Sequence, residues 1–460
     1  MLRVSVVGQT LDSEPACAQN GTMVTALLLQ IIAIAHATVI DPAAGSTRPD
    51  MTVLVRGTRI EAAGPSRSVR IPAGTRVIDA AGKFLIPGLW DMHVHTDVPG
   101  GRALLALYVA NGVTGVRDMD GDIGRLRTFQ RDIAAGSLAG PRMVVSGPYL
   151  VGQPVPLPHI LVRTPEEAVA GVDSLARLHV DFIKVHNGMP PAAYFAVARE
   201  ARRRKMVFAG HVFPPVTPMQ ASDSGQRSLE HLSGFPNTCA GDDSAVIAGG
   251  TGLQRFLLGD CTREEQGATF ARLAANHTWI TPTLIVMTEV VNPGVVPNDS
   301  LLHYFGDSLQ ALWRLVMPSA GTPSPAVVDA GARLFAKRLA LIRALHDAKV
   351  PILVGTDAPL RASPPGFAVH DELALLVRAG LSPLDALRAA TSGPASYFAA
   401  TDSLGSIATG RVADLVLLDA NPLIDIANTR RIVAVVANGR LYDAPARRAL
   451  FDMAQRAASR

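Results

Sequence analysis

Two histidines separated by a single residue, His93 and His95 in the run Trp90-Asp91-Met92-His93-Val94-His95, are the first residues whose spacing suggests chemistry. In extended backbone alternate side chains share a face, so both imidazoles can reach one ion. Four further candidates follow at wide intervals: Lys184 closing Asp181-Phe182-Ile183-Lys184, His211 after Val207-Phe208-Ala209-Gly210, His231 after Ser228-Leu229-Glu230, and Asp357 closing Leu353-Val354-Gly355-Thr356-Asp357. Each stands at the end of a short strand-like run. Imidazole and carboxylate are donors that zinc accepts, and divalent ions held by them acidify water and polarise carbonyl oxygens. A lone HxH is weak evidence, and the weight lies in the set.

These residues need a scaffold that brings distant strand ends together. Short apolar runs alternate with helical patterns through the centre of the chain, with strands expected over 84–90, 112–117, 142–146, 182–185, 206–210, 228–230, 279–284 and 350–355. A helix is expected over 165–178, with Glu166 and Glu167 suited to its positive N-terminal end. Repeated βα units predict an α/β fold, a (β/α)8 TIM barrel, in which catalytic groups gather at the C-terminal ends of the strands. All six candidates fall there. Strand patterns also occur over 34–41, 52–63 and 76–79, with Gly57 and Gly64 at turns, and again over 414–418 and 432–441, with a hairpin at Asn438-Gly439. Together they predict a small β-sandwich formed from the N- and C-terminal segments. The expected division is a leader or disordered segment over 1–30, the sandwich over 31–86 plus 404–446, the barrel over 87–403 and a tail over 447–460. The connection 285–349 is long enough to hold two helical patterns and to cover the barrel mouth.

With these residues in place the chain resembles the amidohydrolase superfamily, and within it the binuclear-metal branch with a carboxylated lysine, which contains Xaa-Pro and Xaa-Arg dipeptidases and N-acyl amino acid carboxypeptidases. The likeness runs from about 37 to 443 and includes the entry segment Ala81-Gly82-Lys83-Phe84-Leu85-Ile86-Pro87-Gly88-Leu89-Trp90-Asp91 and the exit Gly405-Ser406-Ile407-Ala408-Thr409-Gly410-Arg411-Val412-Ala413-Asp414. The resemblance implies two divalent ions, zinc before others, with His93, His95 and Asp357 on the buried one and His211 and His231 on the more exposed one. It implies a carbamate on Lys184 that bridges them, since an ammonium beside two dications would be repelled while a carbamate offers hard, negative oxygens. A bridging hydroxide would then attack the carbonyl of an amide or peptide bond, with Asp357 moving the proton to the leaving amine.

Substrate contacts are less determined. His159, after the third strand, could touch the substrate carbonyl or lie in solvent. Arg117 and Asp118 could anchor a carboxylate or form an ion pair at the rim. His186, two residues beyond Lys184, is a further candidate. Esters, lactones or organophosphates suit the same site, and a non-catalytic scaffold is the remaining alternative. One-metal deaminases of the superfamily usually carry a glutamate three residues past the fifth-strand histidine, where this chain has Pro214.

Composition sets outer limits. The 460 residues are 48% hydrophobic and 18% charged, which suits a folded globular chain, and the net charge of +4 does not call for nucleic acid. The expected partner is a small-molecule substrate, in a homo-oligomer. Cys17, Cys239 and Cys261 form no zinc-binding spacing. The apolar stretch 23–35 resembles a secretory leader without the usual basic front, so secreted or periplasmic and cytoplasmic locations both stay open, and it is a poor membrane span.

Overall fold

The computed structural model describes residues 31–155, 157–212, 215–235, 263–291, 299–316 and 325–459. Residues 1–30, the three cysteines and Pro214 lie outside this description.

Five strands open the described chain: β1 (Ile31–Asp41), β2 (Ser46–Arg56), β3 (Arg59–Pro65), β4 (Arg76–Asp79) and β5 (Phe84–Pro87). The central part holds β6 (Leu89–Val94), β7 (Val113–Asp118), β8 (Arg142–Val145), β9 (Tyr149–Val151), β10 (His159–Leu161), β11 (Ile183–Val185), β12 (Phe208–Gly210), β13 (Ser228–Glu230) and β14 (Trp279–Thr281). Near the end come β15 (Leu415–Leu418), β16 (Ile432–Ala437) and β17 (Arg440–Tyr442).

Strands from the two ends pair as expected and make one continuous sheet in the order β17-β16-β15-β5-β1-β2-β3, with β4 also on β1. Its far edge turns back on the approach to β15, where Ile60 N–H donates to Arg411 O at 2.8 Å and Ala413 N–H to Thr58 O at 2.9 Å. The bend encloses a core that includes Ile32, Ile34, Val53, Val55, Leu85 and Leu415. The alternation of β1 breaks at His36, whose φ of 63° marks a bulge where the pairing with β2 shifts register.

The central strands are parallel, in two sheets ordered β6-β7-β8 and β10-β9-β11-β12-β13-β14. Backbone hydrogen bonds bridge both seams. On one side Asp181 N–H donates to Val145 O at 2.9 Å. On the other, the segment 351–358 lies between β14 and β6, with Leu353 N–H on Ile280 O at 2.8 Å, Met92 N–H on Val354 O at 2.8 Å and His95 N–H on Ala358 O at 2.7 Å. A separate apolar core fills this half and includes Val116, Val145, Ile183, Leu229, Ile280 and Val354.

The helices that flank these strands carry their own signals. In Pro165–Arg177, Thr164 caps the N-terminus by accepting from Glu167 N–H at 3.2 Å, Pro165 stands where no backbone donor is needed, and Ala168, Gly171, Val172 and Leu175 line the buried face. The helix Leu284–Val291 starts against Glu372, whose carboxylate accepts from Leu284 N–H and Ile285 N–H at 2.9 and 2.8 Å.

Four expectations change. The apolar run 84–90 is not one barrel strand: β5 belongs to the terminal sheet and β6 to the parallel one, with Gly88 at the crossing, where a Cβ would stand 2.0 Å from Thr114 Oγ1. The run expected over 279–284 ends as a strand at Thr281, because Thr283 takes a φ of 47° and Leu284 begins a helix. The run expected as a strand over 350–355 is an extended segment that meets β14 through the single bridge Ile280–Ile352 and forms no continuous ladder. The expected tail contains a helix, Ala444–Ala458, packed on the helix Gly101–Ala110.

Candidate metal centre and its cavity

Ends of five parallel segments deliver the six expected ligands to one place. Asp357 Oδ1 lies 2.8 Å from His95 Nε2 and 3.2 Å from His93 Nε2, and the ligand atoms of these three residues fall within 4.8 Å of one another. The His231 ring stands 4.5 Å from that of His93 and 4.7 Å from that of His211, centroid to centroid. Lys184 lines the same cavity of about 420 Å³ as His95, His211, His231 and Asp357.

Every one of the four imidazoles is held by its Nδ1. Glu230 Oε2 accepts from His93 at 2.8 Å, Asp120 Oδ1 holds His95, Asn187 Oδ1 lies 2.8 Å from His211, and Thr283 Oγ1 lies 2.7 Å from His231. Such a contact fixes the ring and leaves Nε2, on its opposite side, as the metal-binding nitrogen. The backbone is shaped for the site too: His231 and Asp357 adopt φ of 62° and 58°, values that non-glycine residues rarely take, and Asp357 N–H is anchored on His93 O at 2.7 Å.

The electrostatics are those of a buried charge cluster. Burial pushes the Lys184 amine down to about 8, against the attraction of Glu230 and Asp357. Burial also opposes charge on Asp357, but His231 and His93 outweigh it and hold the carboxyl well below its usual range. For His95 the burial penalty is overcome by Asp120 and Asp357, which raise the imidazole to about 10. His211 and His231 are driven the other way by burial and stay neutral. His211 and His231 therefore offer neutral imidazoles and Asp357 an ionised carboxylate, the forms that bind metal. Divalent ions fit this donor set: Lys184 Nζ is buried with no hydrogen-bond partner, and Asp357, Asp120 and Glu230 concentrate negative charge around it.

The expected substrate contacts fare unequally. His186 lines the cavity, stacked on Tyr149 at 4.7 Å and held near 3 by burial and the adjacent Lys184. His159 sits in β10, bonded through Nδ1 to Leu157 O at 2.7 Å, and is not among the lining residues. Arg117 is no rim residue and binds no substrate carboxylate here: it is fully buried inside the ring of strands, where Nη2 pairs with Glu230 Oε1 at 2.9 Å, Nη1 reaches Ser228 Oγ and Tyr397 Oη at 2.8 Å, and Nε donates to Met92 O at 2.6 Å. Its expected partner Asp118 accepts instead from Thr96 N–H at 2.8 Å. Sequence reading missed Asp120, Tyr149, Asn187, Glu230 and Thr283. Glu230 carried a signal, being adjacent to His231 and so pointing to the other face of the strand.

The model of the Amidohydrolase family matches residues 260–442. Among curated relatives, the adenine deaminase of Rubrobacter xylanophilus is 23% identical over 424 residues, covering 88% of this chain. The match spans only 56% of that deaminase's own length. Among solved structures, a prolidase of Bifidobacterium longum superposes with TM-score 0.66 at 26% identity over 93% of this chain and 99% of its own. Bottromycin amidohydrolase superposes with TM-score 0.75 at 24% identity over 93% of this chain and 90% of its own, and shows the fold. Together these findings support the amidohydrolase superfamily for this chain, and its structural neighbours imply the barrel with a β-sandwich.

Proposed function

We propose that this chain is a metal-dependent hydrolase of C–N amide or peptide bonds, with a (β/α)8 barrel as its frame. The observation that carries the reading is the set of four histidines, each held through Nδ1, arranged around a buried Lys184 amine and the Asp357 carboxylate. His93, His95 and Asp357 would hold one divalent ion and His211 and His231 a second, with Lys184 between them as a carbamate. Zinc ions bound there would supply an acidified water and a Lewis acid for the substrate carbonyl.

The chain's own groups do the rest. An amine pushed down to about 8 is neutral often enough to attack carbon dioxide, and the adduct exchanges a cation for an anion where one is needed. Asp357, ionised and lining the cavity, takes the proton of the attacking water on a carboxylate oxygen and hands it to the departing amine. Glu230 and Asp120 keep two of the imidazoles from turning. Dipeptides and N-acyl amino acids are the substrates to which the resemblance points.

The test is hydrolysis of a panel of amides and dipeptides by zinc-supplied protein, compared with Asp357→Asn. The variant should keep its far-ultraviolet circular dichroism and lose turnover by roughly a hundredfold or more. Turnover within a few fold of the parent would remove Asp357 from the chemistry.

A further inference from the structure

The cavity is two-sided. Its floor is polar and holds the candidate ligands, but much of the remaining lining is apolar: Leu309, Leu312 and Trp313 from the helix Asp307–Val316, with Val155 and Leu157. Positions 309, 312 and 313 follow a helical repeat, so one face of this helix is laid over the site. The helix is fixed there by Trp313, whose indole N–H donates to Pro359 O at 2.8 Å and whose ring meets Phe305 edge-on at 5.0 Å. Pro359 stands two residues past Asp357, so the wall is tied directly to the segment that carries the chemistry.

Among the described residues lining the cavity, Lys184 is the one lysine or arginine, and it lies on the floor among the candidate ligands. Arg117 is enclosed beneath the site with Glu230. Arg338, at the same rim, donates to His231 O at 3.0 Å and is not among the lining residues. A free carboxylate held between these walls, above the candidate metal ligands, would lose water and meet hydrocarbon with no lysine or arginine of the described lining beside it.

Resting on the proposed hydrolase reading, we propose that the substrate is an uncharged amide with an apolar flank and no carboxylate beside the scissile bond, selected by Leu312 and Trp313 of the helix Asp307–Val316. The pocket thus departs from the substrates to which the resemblance points: free dipeptides and N-acyl amino acids would be poor substrates, and blocked or decarboxylated analogues good ones.

N-acetylphenylalanine and N-acetylphenethylamine test this cleanly, because they share the ring and the only scissile amide and differ by the carboxylate. With the full-length zinc-supplied protein, kcat/KM should be at least tenfold higher for the phenethylamide. Equal or better cleavage of the phenylalanine derivative would overturn the proposal. In Leu312→Arg the ratio should shift toward the carboxylate compound by roughly tenfold, mainly through KM, which is the weight of one charge-assisted contact. An unmoved ratio would mean that the wall does not touch substrate. Should neither compound be cleaved, the hydrolase reading fails on these amides, and calorimetric binding to the same protein still decides the pocket: tighter binding of the neutral compound supports it, and tighter or equal binding of the acid refutes it.

Discussion

Glu230 joins the interior of the parallel strands to the candidate metal site: its carboxylate accepts from His93 Nδ1 on one side and from Arg117 Nη2 on the other, and both partners are fully buried. Arg117 counters the burial penalty and helps hold Glu230 ionised, its pKa lowered, so that it can orient His93. Glu230→Gln keeps the shape and removes the charge. Stranding a buried guanidinium costs about 3 kcal/mol or more. Loss of the partner that fixes a metal-binding histidine weakens metal affinity by roughly tenfold to a hundredfold. The variant should therefore melt earlier in calorimetry and release zinc to a chelator more readily, and a variant that matched the parent in both would leave Glu230 without this role. The convergence of the candidate ligands was legible because donor type and strand-end position coincide. Their supports were not, since Asp120, Asn187 and Thr283 reach the histidines across gaps of 25, 24 and 52 residues that no local pattern encodes.

Elements were legible where a local signal starts or stops them. Thr164 and Pro165 announce their helix, and Thr164→Ala should cost about 1 kcal/mol, read from the thermal midpoint. Where two strands follow each other in one apolar run, as at 84–94, only the tertiary partners decide which sheet each joins, and composition is silent. The helix Phe367–Arg378 shows how elements are then locked. Its His370 bonds Asn111 O at 3.0 Å, just past the helix Gly101–Ala110, and Thr429 Oγ1 at 2.9 Å, in the turn before β16. Burial, with Arg430 and Arg447 nearby, drives this imidazole down to about 3. The folded state thus binds its proton later than the unfolded chain does, so the stability contribution is complete above pH 6.5 and is lost as pH falls from there toward 3. The slope approaches about 1.4 kcal/mol per pH unit once the unfolded histidine is protonated. His370→Gln should flatten the dependence of the melting temperature on pH between 6.5 and 4 relative to the parent. Parallel curves would show that His370 is not the group responsible.

At the scale of the molecule, the two largest apolar cores among the described residues are stitched together by strands that leave and re-enter the terminal sheet, and the candidate metal site lies on the parallel half alone. The pairing of strands from the two ends was legible because β-patterns cluster there and strand-helix alternation fills the middle. The passage of one sheet into the other at Gly88 was not, because it depends on Thr114 crowding that position from another strand. The six candidate ligands come from β6 and the residue after it, β11, the ends beyond β12 and β13, and the segment 351–358, so ions held between them would clamp five parallel segments at once. Binding that favours the folded state raises stability by RT ln(1 + [L]/Kd), about 4 kcal/mol at a thousandfold excess over Kd. Chelator-treated protein should therefore melt several degrees below the zinc-loaded form, and re-addition of zinc should restore the midpoint. Elemental analysis of the loaded protein should give two ions per chain. Lys184→Met, which removes the group proposed to lie between them, should lower that number and shrink the zinc-dependent shift while leaving the chelated midpoint at or above that of the parent, since a buried amine without a hydrogen-bond partner is replaced by an apolar chain of similar length. A midpoint indifferent to zinc, in protein that retains no metal, would show that these histidines gather for structure and not for ions.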